Sequence, residues 1–73
     1  MNPVEKSFKE ILGNQILKYR LEKGFGVREL ALLAGIEHHQ LINIEKGRVD
    51  IRLSTLLKIA KALNLKAKDL LDF

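Results

Sequence analysis

The sequence predicts an all-α fold of five short helices, and three observations predict it. Aliphatic side chains recur at spacings of three and four along nearly the whole chain, and no stretch alternates apolar with polar as a half-buried strand would. The single proline is Pro3, so no later helix is interrupted by a missing N–H. Gly24, Gly35 and Gly47 fall between the apolar periods, where helices commonly end.

The elements follow in order. Phe8, Ile11, Leu12, Ile16 and Tyr19 share one face of a first helix that stops at Gly24. A second, short helix spans 27–34 with Leu30, Ala31 and Ala34 inward, and Gly35 ends it. A third runs over about 38–46 with Leu41 and Ile44 inward, and Gly47 closes it. The stretch "LSTLLKIAKALNL" forms a fourth, with Leu53, Leu56, Leu57, Ile59, Ala60 and Leu63 expected on its apolar face and Asn64 as its C-terminal cap. "AKDLLDF" adds one or two last turns. With no repeat, low-complexity segment or linker, residues 1–73 read as one domain.

The helix starts are unusual. Ser, Thr, Asp or Asn is favoured at an N-cap, yet Gly26, Glu37, Arg52 and Lys66 stand there for helices two to five. Each such position forfeits on the order of 1 kcal/mol.

Composition narrows the chemistry. A chain of 73 residues has a small core. The absence of cysteine removes disulfides, thiolate zinc sites and thiol chemistry. No apolar run approaches the roughly 20 residues of a membrane span, and Met1 to Lys9 is mixed and charged rather than leader-like. A cytoplasmic protein with no cofactor is expected. The formal net charge is +4, a balance that attracts polyanions. Between Lys46 and Lys68, the basic residues Lys46, Arg48, Arg52, Lys58, Lys61, Lys66 and Lys68 face Asp50 alone.

Ser7, Ser54 and Thr55 are the only hydroxyl nucleophiles besides the tyrosine, and none adjoins a histidine in sequence. No glycine-rich phosphate loop and no paired carboxylates stand on one helical face, so the chain does not read as an enzyme. Adjacent His38 and His39 point about 100° apart on a helix, whereas a chelating pair wants a spacing of three or four. No metal site is expected.

The stretch "VRELALLAGIEHHQLINIEK" carries the main signal. Ala31 sits where two crossed helices come closest, and four residues later Gly35 can adopt the positive φ of a tight turn. Leu30, Ala34 and Ile36 point inward before the turn, Leu41 and Ile44 after it. Two short helices joined steeply in this way form a helix-turn-helix, at about 27–46. The inner face of the second helix is spent on packing, which leaves its outer face for recognition.

From about Leu12 to Leu71 the chain resembles the Cro/lambda-repressor-like helix-turn-helix family, also called the XRE family. The resemblance rests on the ordered set "KYRLEKGF", "RELALLAGI", "INIEKGR" and "LSTLLKIAKALNLKAKDLL". It implies a compact five-helix lambda-repressor-like domain, bacterial or phage-like and nucleoid-associated, that binds double-stranded operator DNA as a homodimer and acts as a repressor. The third helix becomes the recognition helix in the major groove. His38, His39 and Asn43, with Gln40 beside them, occupy the base-contacting positions. Asparagine can pair bidentately with adenine, and a neutral imidazole can donate or accept one hydrogen bond. Arg28, Lys46, Arg48 and Arg52 are candidate phosphate contacts, which position without reading sequence. Arg20 and Glu45 are expected to form an ion pair joining the first helix to the end of the third. The same family includes antitoxins, which bind a toxin protein and autoregulate their operon, and this is the alternative reading.

Three residues depart from the pattern. Val27 replaces a frequent glutamine, Glu37 replaces Ser or Thr, and Ile42 is apolar on the reading helix. Leu17, Leu21, Leu70, Leu71 and Phe73 exceed what a small core needs and are expected to form a dimer or partner surface. The competing expectation is that Val4, Phe8 and the tail cover these leucines within one chain.

Overall fold

The computed structural model describes residues 7–73. Five helices follow one another: α1 (Phe8–Glu22), α2 (Val27–Ala34), α3 (His38–Glu45), α4 (Leu53–Ala62) and α5 (Ala67–Leu70). α3 packs against both α1 and α2, α2 also packs on α4, and α5 closes the other end against α4 and α1. Ile16, Leu30, Leu41, Ile59, Leu63 and Leu70 are fully enclosed, so every helix contributes to one core.

The helix starts resolve part of the capping puzzle. α1 opens with a capping box at Ser7, whose hydroxyl accepts from the Glu10 amide at 3.3 Å, while the Glu10 carboxylate accepts in return from the Ser7 amide at 3.5 Å. α2 and α5 use only the returning half of such a box. Glu29 Oε1 accepts from the Gly26 amide at 3.3 Å, and Asp69 Oδ2 from the Lys66 amide at 2.8 Å. α3 and α4, begun by Glu37 and Arg52, have no side-chain cap.

Two glycines set the position of α3. A Cβ on Gly13, in the middle of α1, would lie 2.3 Å from the Ile44 carbonyl oxygen and 2.7 Å from that of Glu45. Only a residue without a side chain lets α1 approach the end of α3 this closely. Just past that end, Gly47 takes a φ of 70°. Its amide donates to the Ile44 carbonyl at 3.0 Å, and the Arg48 amide donates to the Asn43 carbonyl at 3.0 Å. This double closure satisfies the last carbonyls of the helix.

The structure corrects several expectations. Leu53 and Leu57 are exposed rather than inward. On α4 the positions 56, 59, 60 and 63 already fill one face, and 53 and 57, a turn apart, fall to its side. Phe8, expected on the inner face of α1, is also exposed. Leu70, assigned to a partner surface, is fully buried in the core. The short α5 turns it toward α4 and α1 and leaves Leu71 outside. Val4 lies outside the described residues.

Candidate nucleic-acid interface

The inner side of α3 is committed to packing: Leu41 and Ile44 are buried, and Glu45 is 9% exposed. The remaining side chains of the helix project outward or obliquely. His39 and Gln40 are exposed, and His38, Ile42 and Asn43 are half-buried. The helix therefore presents a polar ridge from its N-terminus to its last turn.

At the N-terminal end the rings of His38 and His39 lie side by side, with centroids 4.2 Å apart and planes tilted by 33°. Desolvation pushes the His38 imidazole below its ordinary range, the charges of His39 and Arg28 push the same way, and Glu37 opposes them. A neutral imidazole offers one donor and one acceptor. The influence of Arg28 also shows that the start of α2 lies within electrostatic reach of His38. Among the described residues no group of three His, Cys, Asp or Glu side chains is arranged to hold a metal ion.

Along the ridge, Asn43 and Arg48 meet. Arg48 Nη1 donates to Asn43 Oδ1 at 3.3 Å. Gln40 instead borders a groove shared with Asp50, Arg52 and Thr55. Arg28, Lys46, Arg48 and Arg52 are all exposed, and none of them makes an ion pair among the described residues. Seven of the eight candidate contact residues thus fall into three neighbourhoods: Arg28, His38 and His39; Asn43 and Arg48; Gln40 and Arg52. Lys46 stands exposed at the C-terminal cap of the helix.

The root of the ridge is fixed from below. Arg20 Nε donates to Glu45 Oε2 at 2.7 Å, and its Nη2 to Glu45 Oε1 at 3.0 Å. A third bond runs from Arg20 Nη1 to the Phe25 carbonyl at 2.9 Å. The fork-to-fork geometry pins α1, the α1–α2 turn and the end of α3 together. The hydrogen bond to Glu45 holds the Arg20 guanidinium above its ordinary range, against the opposing effect of burial.

Of the three departures, Val27 is half-buried against the core, so it braces α2 rather than pointing at a ligand. Ile42 is half-buried, and Glu37 is exposed at the start of α3.

The residues assigned to a partner surface separate. Leu71 and Phe73 are exposed and, with Phe8, Leu12, Ile44, Val49 and Ile51, line an apolar cleft of about 260 Å³. The Phe8 and Phe73 rings lie 6.3 Å apart across it, and Gln15 Nε2 ties the tail down by donating to the Asp72 carbonyl at 3.3 Å. Leu17, half-buried, and Leu21, exposed, do not line this cleft.

Sequence reasoning missed Gly13, the Arg20–Phe25 bond and the Arg48–Asn43 bond. Gly13 carried a signal: a helix-interior glycine costs about 1 kcal/mol against alanine, so its presence in α1 pointed to a close approach. The two hydrogen bonds depend on turn geometry that no spacing rule supplies.

Comparison with known proteins agrees with this architecture. A family described as "Helix-turn-helix domain" matches residues 13–72. A hypothetical transcription factor of Neisseria meningitidis is 32% identical over 69 residues, 94% of this chain; the chain spans 65% of that protein's length. The crystal structure of the clp gene regulator ClgR from Corynebacterium glutamicum superposes with a TM-score of 0.89 at 29% identity, covering 93% of this chain and 72% of that one. The biofilm master regulator SinR, crystallised in complex with DNA, superposes with a TM-score of 0.79 at 34% identity, covering 84% of this chain and 98% of SinR.

Proposed function

The chain belongs to the helix-turn-helix family of DNA-binding transcription regulators, and we propose that it represses transcription as a homodimer by laying α3 in the major groove of an operator. The observation that carries this reading is the division of labour on α3. Its apolar side is buried and its far end locked, while His38, His39, Gln40 and Asn43 face outward beside four exposed cations that form no ion pair among the described residues.

In this reading Asn43 and the two imidazoles meet base edges, with Gln40 alongside. Arg28 at one end, and Lys46, Arg48 and Arg52 at the other, neutralise phosphates. Arg20 and Glu45 touch no DNA and hold the reading helix at its angle. SinR, a structural relative crystallised in complex with DNA, supports the DNA-binding part of this reading. The work is done in the cytoplasm, at the nucleoid.

The cleft lined by Phe8, Val49, Leu71 and Phe73 is the surface where a second copy docks. Lys9 and Asp50 also line it, opposite charges that a two-fold arrangement can pair across the interface. The toxin-binding alternative draws no specific support from the relatives.

Titration of a fluorescent duplex at two salt concentrations tests the reading. Counterion release predicts that affinity falls steeply as salt rises. No saturable binding at low salt, or binding indifferent to salt, contradicts it.

A further inference from the structure

Arg48 does more than supply charge: we infer that it is a positioning residue that fixes the amide orientation of Asn43 and thereby sets base selectivity. The inference rests on the DNA-reading role proposed for Asn43.

Two bonds tie these residues, one through the backbone and one through the side chains. The turn at Gly47 brings the Arg48 amide to the Asn43 carbonyl at 3.0 Å. That closure places the Arg48 side chain beside Asn43, where Nη1 donates to Oδ1 at 3.3 Å. A guanidinium has donors only. It therefore selects one of the two amide orientations, with Oδ1 toward Arg48 and Nδ2 turned away. The flipped amide would set donor against donor.

The consequence lies in base recognition. To pair with adenine, asparagine must accept from N6 with Oδ1 and donate to N7 with Nδ2. Oδ1 has two lone pairs, so it can serve Arg48 and adenine together. An amide with a fixed orientation offers one order of acceptor and donor along the groove. A freely flipping amide offers both and discriminates less. Asn43 is half-buried while Arg48 is exposed, so the arginine is free to reach a phosphate while it holds the amide.

The test compares Arg48→Ala with Arg28→Ala, which removes one positive charge elsewhere on the same surface. Affinities are measured for duplexes carrying adenine or guanine at the base pair whose preference Asn43→Ala abolishes. Arg28→Ala is expected to weaken both duplexes equally. Arg48→Ala is expected to weaken both and also to shrink the adenine-to-guanine ratio by about tenfold, within the range a bidentate contact supplies. In an Asn43→Ala background, Arg48→Ala should leave the ratio unchanged. A uniform loss from Arg48→Ala, with the ratio intact, overturns the proposal and leaves Arg48 a phosphate contact alone.

A second readout needs no DNA. Side-chain ¹⁵N relaxation of Asn43 in the free protein should show an ordered amide that becomes mobile in Arg48→Ala. Equal order in both proteins overturns the proposal. Failure of the wild-type protein to bind any duplex overturns the operator reading instead, and the relaxation result alone then decides whether the clamp exists.

Discussion

The two ends of α3 are held in opposite ways. At the C-terminal end, Glu45 receives two bonds from Arg20, the Gly13 face of α1 lies against the Ile44 and Glu45 carbonyls, and the turn at Gly47 closes the helix twice. At the N-terminal end, Glu37 makes no side-chain cap, and His39 and Gln40 stand in solvent. The helix is built like a bracket, with a fixed root and a free tip. Rigidity at the root sets the angle, and freedom at the tip leaves polar groups for a ligand. The same contrast separates stability from recognition, and substitutions at each end should separate them in measurement.

The largest effects are expected at the root. Arg20→Ala strands the Glu45 carboxylate, whose side chain is 8% exposed, and should cost about 3 kcal/mol of unfolding free energy by urea denaturation. Replacing both partners with apolar residues, Arg20→Met with Glu45→Leu, should recover much of that loss. If Arg20→Ala is as stable as wild type, the root is not held by this pair. Gly13→Ala comes next, at about 2 kcal/mol, because the new methyl meets backbone carbonyls that cannot move without shifting α3. That variant should also weaken DNA binding on every sequence, since it displaces the whole helix.

At the tip the sign reverses. Glu37→Ser supplies the missing cap and should stabilise the protein by about 1 kcal/mol. It also removes a negative charge beside the proposed DNA surface, so affinity at low salt should rise. A loss of stability would mean that the N-terminal turn of α3 is already satisfied in some other way.

The smallest effect concerns His38, whose folded-state pKa is depressed by desolvation, with His39 and Arg28 adding to it. The unfolded chain therefore binds this proton first as pH falls below about 6.5. The contribution is fully present above that range and is lost as pH drops through it toward the lower folded value. The urea midpoint of wild type should fall slightly more between pH 7.5 and 5.5 than that of His38→Gln. Equal slopes would remove His38 from the pH response.

Much of this arrangement was legible in the sequence, for identifiable reasons. Gly35 and Gly47 punctuate strongly because L side chains resist positive φ, so the bounds of α2 and α3 followed from them within a residue. Asn64, at φ 58°, ends α4 by the same chemistry. Arg20 and Glu45 were pairable only through the family resemblance, because they lie 25 residues apart. Depth was less legible than periodicity. Leucine spacing assigned too many residues to the inner face of α4, since pattern gives direction but not how wide a face the neighbours cover. Leu70 and Leu71 are chemically identical, and only the turn of α5 decides which is buried. The candidate site was legible as a surface. Its internal linkage, Asn43 held by Arg48, was not, because it arises from the turn and not from any spacing.

The most direct test of α3 as an outward-facing reading helix is selection of bound duplexes from a random pool, run in parallel on wild type and Asn43→Ala. Wild type should enrich a defined motif, and Asn43→Ala should lose preference at one base pair per half-site while keeping the rest. An unenriched pool, or the same motif from both proteins, would contradict that role for α3.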